Sequence, residues 1–150
     1  MLTNPRLCSV ILLMLVALVG HAQSRAPSDI ELHTAYCIPV VKAELEAAQQ
    51  AVVAQDKSRA EIIAASGSAI LVKAATDVLD NLRGEESRYR ALLDRLQSHL
   101  LPRISELDTA ALSDADNRGK SDAQTISRQG MDKDLAVRLK SCNSPTWLPS

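Results

Sequence analysis

Between Val40 and Val52 the apolar residues fall on one helical face: Val41, Leu45, Ala48 and Val52 are spaced by four, three and four, the rhythm of an amphipathic helix. Lys42, Glu44, Glu46, Gln49 and Gln50 fill the intervening positions, and the plentiful alanine has the best intrinsic helix propensity. A stronger pattern covers residues 69–101. Leu71, Ala75, Val78, Leu82, Tyr89, Leu92 and Leu96 keep a 4/3 rhythm with one gap at Glu85. Val72, Leu79, Leu93 and Leu100 form a second row beside it. Together the rows make a face wider than a two-stranded coiled-coil seam, so this helix is predicted to pack against two neighbours.

The two stripes are out of register, which places a break somewhere in 55–68 and predicts a helical hairpin; a single long rod is the competing arrangement. Gln55-Asp56-Lys57 interrupts the first stripe, Ser58 with Glu61 has capping-box spacing for a restart, and Ser66-Gly67-Ser68 is the other possible break. Upstream, residues 23–29 read as a loose lead. Ser28 with Glu31 offers a capping box for a helical turn over 29–37, and Pro39 marks a start or a kink because it lacks an N–H. Downstream, Pro102 ends the strong pattern, and Ile104, Leu107 and Ala111 continue a shorter helix opened near Ser105. Residues 113–122 read as a polar linker with turn chemistry. Ser121 with Gln124 then suits another cap. Ile126, Met131, Leu135, Leu139 and Cys142 mark a last amphipathic segment, bent at Gly130, and the proline-containing tail 143–150 is predicted to be non-helical. No strand pattern of useful length emerges. The predicted fold is all-α: an antiparallel bundle of three to four helices with one long hairpin.

The first 22 residues change the picture of where this bundle resides. Arg6 precedes an uncharged run from Leu7 to Val19, and Gly20-His21-Ala22 places small residues at the minus-three and minus-one positions of a cleavage site. This is the form of a secretory signal peptide, and the run is short for a membrane span of roughly 20 apolar residues. The expectation is an exported protein, periplasmic or extracellular, whose single helical domain occupies 23–150 and which has no stable membrane span after cleavage. Losing Arg6 takes the net charge from −1 to −2, with both signs mixed along the chain, so no basic surface for nucleic acid is expected.

Export also gives meaning to the cysteines. Cys8 lies in the signal segment, leaving Cys37 and Cys142 at opposite ends of the helical region. In an oxidising compartment they are expected to form a disulfide, closing a loop of about 100 residues and contributing roughly 4–5 kcal/mol in the chain-entropy model. The alternative is zinc: His33 and Cys37 are four apart, and His99 with Cys142 would complete a two-His, two-Cys set, although the close pairing usual for zinc ligands occurs once. Haem has less support, since Cys-x-x-Cys-His is absent and His99 with Met131 is only a His and a Met.

No nucleophile elbow, phosphate loop or His-Glu-x-x-His is present. Aromatics make up 2% of the chain, with no Phe, which disfavours a dedicated ligand cavity. Asp77, Asp80, Glu85, Glu86 and Asp94 read as a solvated face, with Glu86 and Arg90 a favourable i,i+4 pair; Glu85 interrupts the apolar row as a polar contact, a water-filled gap or the edge where the face meets solvent. Trp147 either covers the open end of the bundle or stands as an anchor for a partner. The functional expectation is a non-enzymatic interaction or structural protein without a cofactor, acting through a protein partner or self-association along an amphipathic face. The rival is a small-ligand or metal carrier with a site inside the bundle near Glu85, Tyr89 or His99.

Overall fold

The computed structural model of the chain describes residues 24–129 and 133–149. The signal segment, the bend at Gly130 and Met131 lie outside these residues. The described chain is an all-α bundle: α1 (Asp29–Ser66), α2 (Ala69–Leu100), a 3-10 helix (Leu101–Glu106), α3 (Thr109–Gln129) and α4 (Lys133–Asn143). None of these helices is long and apolar enough to cross a membrane.

Helix α1 begins where Ser28 predicts. The Ser28 hydroxyl accepts from the Glu31 N–H, and the Glu31 carboxylate accepts from the Ser28 N–H at 2.8 Å, completing the capping box. The helix then passes through Pro39 without restarting. It also passes through Gln55-Asp56-Lys57, so the predicted restart at Ser58 does not occur. Those residues are helix-compatible, and Asp56–Arg59 and Lys57–Glu61 pairs decorate them. Their polarity marks the stretch where α1 has left the shared core and keeps α2 as its partner, not a turn. The turn is the second site: Gly67 ends α1 at φ +59°, a left-handed cap that glycine adopts without a Cβ penalty. Hairpin, not rod, is the result, with α2 packed back along α1.

Further expectations are corrected. Residues 113–122 are not a linker but the middle of α3. Leu112, Ala115 and Gly119 are buried at 3- and 4-residue spacing, and these small residues form the face that meets α1. Ser121 is accordingly interior to a helix and caps nothing. The short helix opened near Ser105 is instead the 3-10 segment, and α3 starts after Leu107 and Asp108. Nor is the N-terminal lead loose. Arg25 donates its N–H to Glu106 O at 2.9 Å and accepts from the Asp108 N–H at 2.9 Å, a short parallel bridge onto the α2–α3 connection. The tail leaves helical geometry after Asn143, and Arg95 of α2 holds it by donating to Leu148 O at 3.0 Å.

Helix α1 touches every other α-helix. Its 38 residues span about 57 Å, whereas the 21 of α3 span about 32 Å. Only one end of α1 is therefore surrounded. There Ala35, Cys37, Val40 and Val41 join Leu96 and Leu100 of α2, Leu112 and Ala115 of α3, Leu135, Leu139 and Cys142 of α4, and Leu148 of the tail in one core. The rest of α1 and the start of α2 form a projecting two-helix arm, held along its contact face by Leu45, Ala48, Ala75 and Leu79 and by Gln55 donating to Ala75 O at 3.2 Å.

Gly119 sets how closely α3 approaches. A Cβ there would lie 2.1 Å from Tyr36 O and 2.8 Å from Pro39 Cγ. Backbone cannot yield as a flexible side chain can, so Gly119→Ala should cost about 1–3 kcal/mol, read as a lower urea midpoint with unchanged helical circular dichroism before the transition.

Glu31 is the buried charge of the base, at 1% exposure. Its carboxylate takes both guanidinium arms of Arg25 as well as the Ser28 N–H and hydroxyl. The Arg25 hydrogen bonds, assisted by those of Ser28, overcome the opposing effect of burial and hold Glu31 at about 2. A carboxyl depressed in the folded state stabilises fully above its unfolded pKa and loses that contribution as pH falls through the folded value. Denaturation of the wild type should therefore become easier between pH about 4.5 and 2. Glu31→Gln should flatten that part of the pH profile, measured as the difference between the two proteins' unfolding free energies.

Candidate functional site

The residues with distinctive chemistry converge where the first turns of α1 meet α4 and the tail. Cys37 and Cys142 are joined at an S–S distance of 2.04 Å with Cα atoms 5.2 Å apart, and both are 0% exposed. The bond clamps α1 to α4 across a sequence separation of 105. In a chain-entropy account that closure contributes about 4–5 kcal/mol.

One helical turn before Cys37, the His33 ring stacks against Tyr36, with centroids 5.9 Å apart and planes 13° apart. On its other side it meets Trp147 edge-on at 4.5 Å and 67°. The imidazole is thus fixed in orientation. The Ser141 hydroxyl donates to Arg138 O at 2.6 Å, so its lone pair faces His33 Nε2 at 2.9 Å. That arrangement places the imidazole proton on Nε2. The same Nε2 is 3.8 Å from Cys37 Sγ. Partial burial pushes the His33 pKa down, favouring neutral imidazole.

Beside His33 an open cleft of about 550 Å³ is lined by Leu32, Tyr36, Arg118, Asp122 and Arg138. The Tyr36 hydroxyl donates to Asp122 Oδ2 at 2.8 Å, and Arg138 Nε donates to the same oxygen at 3.3 Å. Burial, then the Asp122 hydrogen bond, pushes Tyr36 up to about 12, so the phenol stays protonated as a donor. The network joins α1, α3 and α4, and Asp29, His33 and Ser121 also line the cleft beside it.

Cys37 and Cys142 come together as the sequence predicts. Of the four residues in the zinc alternative, three meet: His33, Cys37 and Cys142 have donor atoms within 4.8 Å of one another, while His99 is not in the cluster. His99 Nε2 is buried without a hydrogen-bond partner among the described residues. Glu85 is exposed, the edge of its apolar row, and Tyr89 is half-buried with the Arg88 guanidinium 4.5 Å over its ring. The Tyr36–Asp122–Arg138 network escaped sequence reading because its members are 86 and 16 residues apart, within no motif. The spacing of Leu112, Ala115, Gly119 and Asp122 was its only trace.

Comparison with family models, with curated proteins and with solved structures finds no match to this chain. The class defined by the fold is an all-α bundle, closed among the described residues by the Cys37–Cys142 disulfide.

Trp147 is the cover of this cluster. Its Nε1 donates to Ser141 O at 2.9 Å, and its neighbour Leu148 is buried in the core. Trp147→Ala should remove about 1.5–3 kcal/mol of stability. Trp147→Phe, which keeps an aromatic edge on His33 but loses the donor, should lose about 1 kcal/mol. Urea denaturation of both variants checks this, and unchanged midpoints would return Trp147 to the role of an exposed anchor.

Proposed function

We propose that this chain is an exported, non-enzymatic helical protein that binds a protein partner through the tip of its α1–α2 arm. The observation that carries this reading is the apolar surface at that tip. Ile70 is 81% exposed and Val53 70%, with Ile63, Leu71 and Val78 each about half exposed. Ile70, Ala74 and Val78 recur at 4-residue spacing on α2, the form of a helix face that seats against another surface. Single exposed apolar residues are ordinary, but a run on a projecting element suits association. The clamped base supports such an arm: core, disulfide and capping network all lie at the other end, so the tip can be covered without disturbing them. Export rests on the Arg6, Leu7–Val19 and Gly20-His21-Ala22 pattern, with which a buried disulfide is compatible.

A photoactivatable cross-linker introduced at Ile70 or Val78, in cells that make the protein, should trap a partner that mass spectrometry identifies. Ile70→Glu combined with Val78→Glu should abolish that product while shifting stability by no more than about 0.5 kcal/mol per site, as exposed positions do. Trapping of a second copy would make the tip a self-association surface. Absence of any tip-dependent product would defeat the reading.

A further inference from the structure

Three soft or borderline donors meet at the base of the bundle, close enough together to share one metal ion once the disulfide is reduced. In a tetrahedral zinc site, Zn–N of about 2.0 Å and Zn–S of about 2.3 Å put nitrogen and sulfur roughly 3.6 Å apart and the two sulfurs roughly 3.8 Å apart. His33 Nε2 already stands 3.8 Å from Cys37 Sγ. The donor atoms of His33, Cys37 and Cys142 all lie within 4.8 Å of one another. The imidazole is held in place between Tyr36 and Trp147, so little ordering remains to be done on binding. The cysteines are fully buried, whereas His33 also lines the open cleft and gives the cluster a route to solvent.

We propose that the dithiol form of this protein binds one zinc ion through His33 Nε2, Cys37 Sγ and Cys142 Sγ, a metal clamp that takes the place of the disulfide. Both cross-links join the same two helices, so either closes the base. The balance is complete with a dithiol reductant and a disulfide oxidant. Two electrons and two protons from the reductant convert the S–S bond to two thiols. Zinc then displaces both thiol protons, and the imidazole proton moves from Nε2 to Nδ1, giving up the Ser141 contact and freeing the Nε2 lone pair for the metal. A disulfide oxidant reverses the process: it takes two electrons from the thiolates, the S–S bond forms again and Zn²⁺ leaves. Three protein ligands leave the fourth position to water. The proposal is independent of the arm and its partner.

The test uses the full chain, reduced without oxygen and titrated with Zn²⁺ against a chromophoric chelator, with Co²⁺ as the spectroscopic probe. The expected result is one zinc per chain, thiolate-to-cobalt charge transfer with tetrahedral d–d bands, and no binding by the oxidised protein. Cys37→Ser should bind none at the same concentration. His33→Ala should bind roughly 100-fold more weakly or worse, since losing a ligand costs more than losing its outer-shell support. His99→Ala should bind as the wild type does. Should reduction unfold the chain, restoration of helical circular dichroism by zinc also supports the site. Reduced protein that takes up no zinc, or zinc binding that His33→Ala leaves unchanged, overturns it.

Discussion

Among the described residues the other α-helices all pack against α1, with α3 and α4 meeting it at one short stretch near its start, and that demand shapes the rest of the structure. Glu31 and all of Thr34–Cys37 and Pro39–Val41 are buried. A helix surrounded on all sides can keep no polar face, so its backbone and side chains must satisfy each other locally. Thr34 does so by donating to Ile30 O at 2.7 Å, and Glu31 by gathering Arg25 and Ser28 around its carboxylate. Pro39 fits the same requirement. It removes a donor where α3 comes nearest, and Gly119 removes the Cβ that would have stood between them.

The packing divides the molecule into a clamped base and a simple arm. At the base, one buried disulfide, one buried carboxylate paired with a half-exposed arginine and one aromatic-covered histidine lie within a few turns of each other along α1. Along the arm, α1 and α2 have only one another, and the i,i+4 pairs that decorate it, such as Lys73–Asp77, are exposed and contribute little. Stability is therefore concentrated at the base, and the distal arm is the part free to meet another surface. The proposed partner interaction and the proposed zinc clamp belong to these two different ends.

Legibility from sequence followed the same division. In the hairpin, each helix buries a single stripe against one partner, and the stripe is written in large apolar residues. The hairpin was readable for that reason, whereas the second neighbour expected from the wide face of α2 is not met along the arm, where Leu71 and Val78 stay about half exposed. Residues 113–122 were not, because the face of α3 that meets α1 is built from Ala115 and Gly119, whose value lies in being small. Small residues among Ser, Asp and Asn look like a turn when only hydrophobicity is counted. Gln55-Asp56-Lys57 misled in the opposite sense: its polarity reports that α1 has left the core, not that the helix has ended.

By itself the sequence determined the helical class, the Ser28 cap and the glycine turn at Gly67 as one of two choices, and it put a Cys37–Cys142 disulfide ahead of zinc. Each rests on local chemistry or on there being two candidate cysteines in the helical region. The tertiary structure alone decided that Arg25 ties the N-terminal lead to the α2–α3 connection, that Tyr36, Asp122 and Arg138 form one network, and that His33 rather than His99 stands beside the sulfurs. The physical reason is that such contacts depend on the distance and rotation between helices. Those are set by the closest approach of small side chains such as Gly119, which no periodicity along a single helix records.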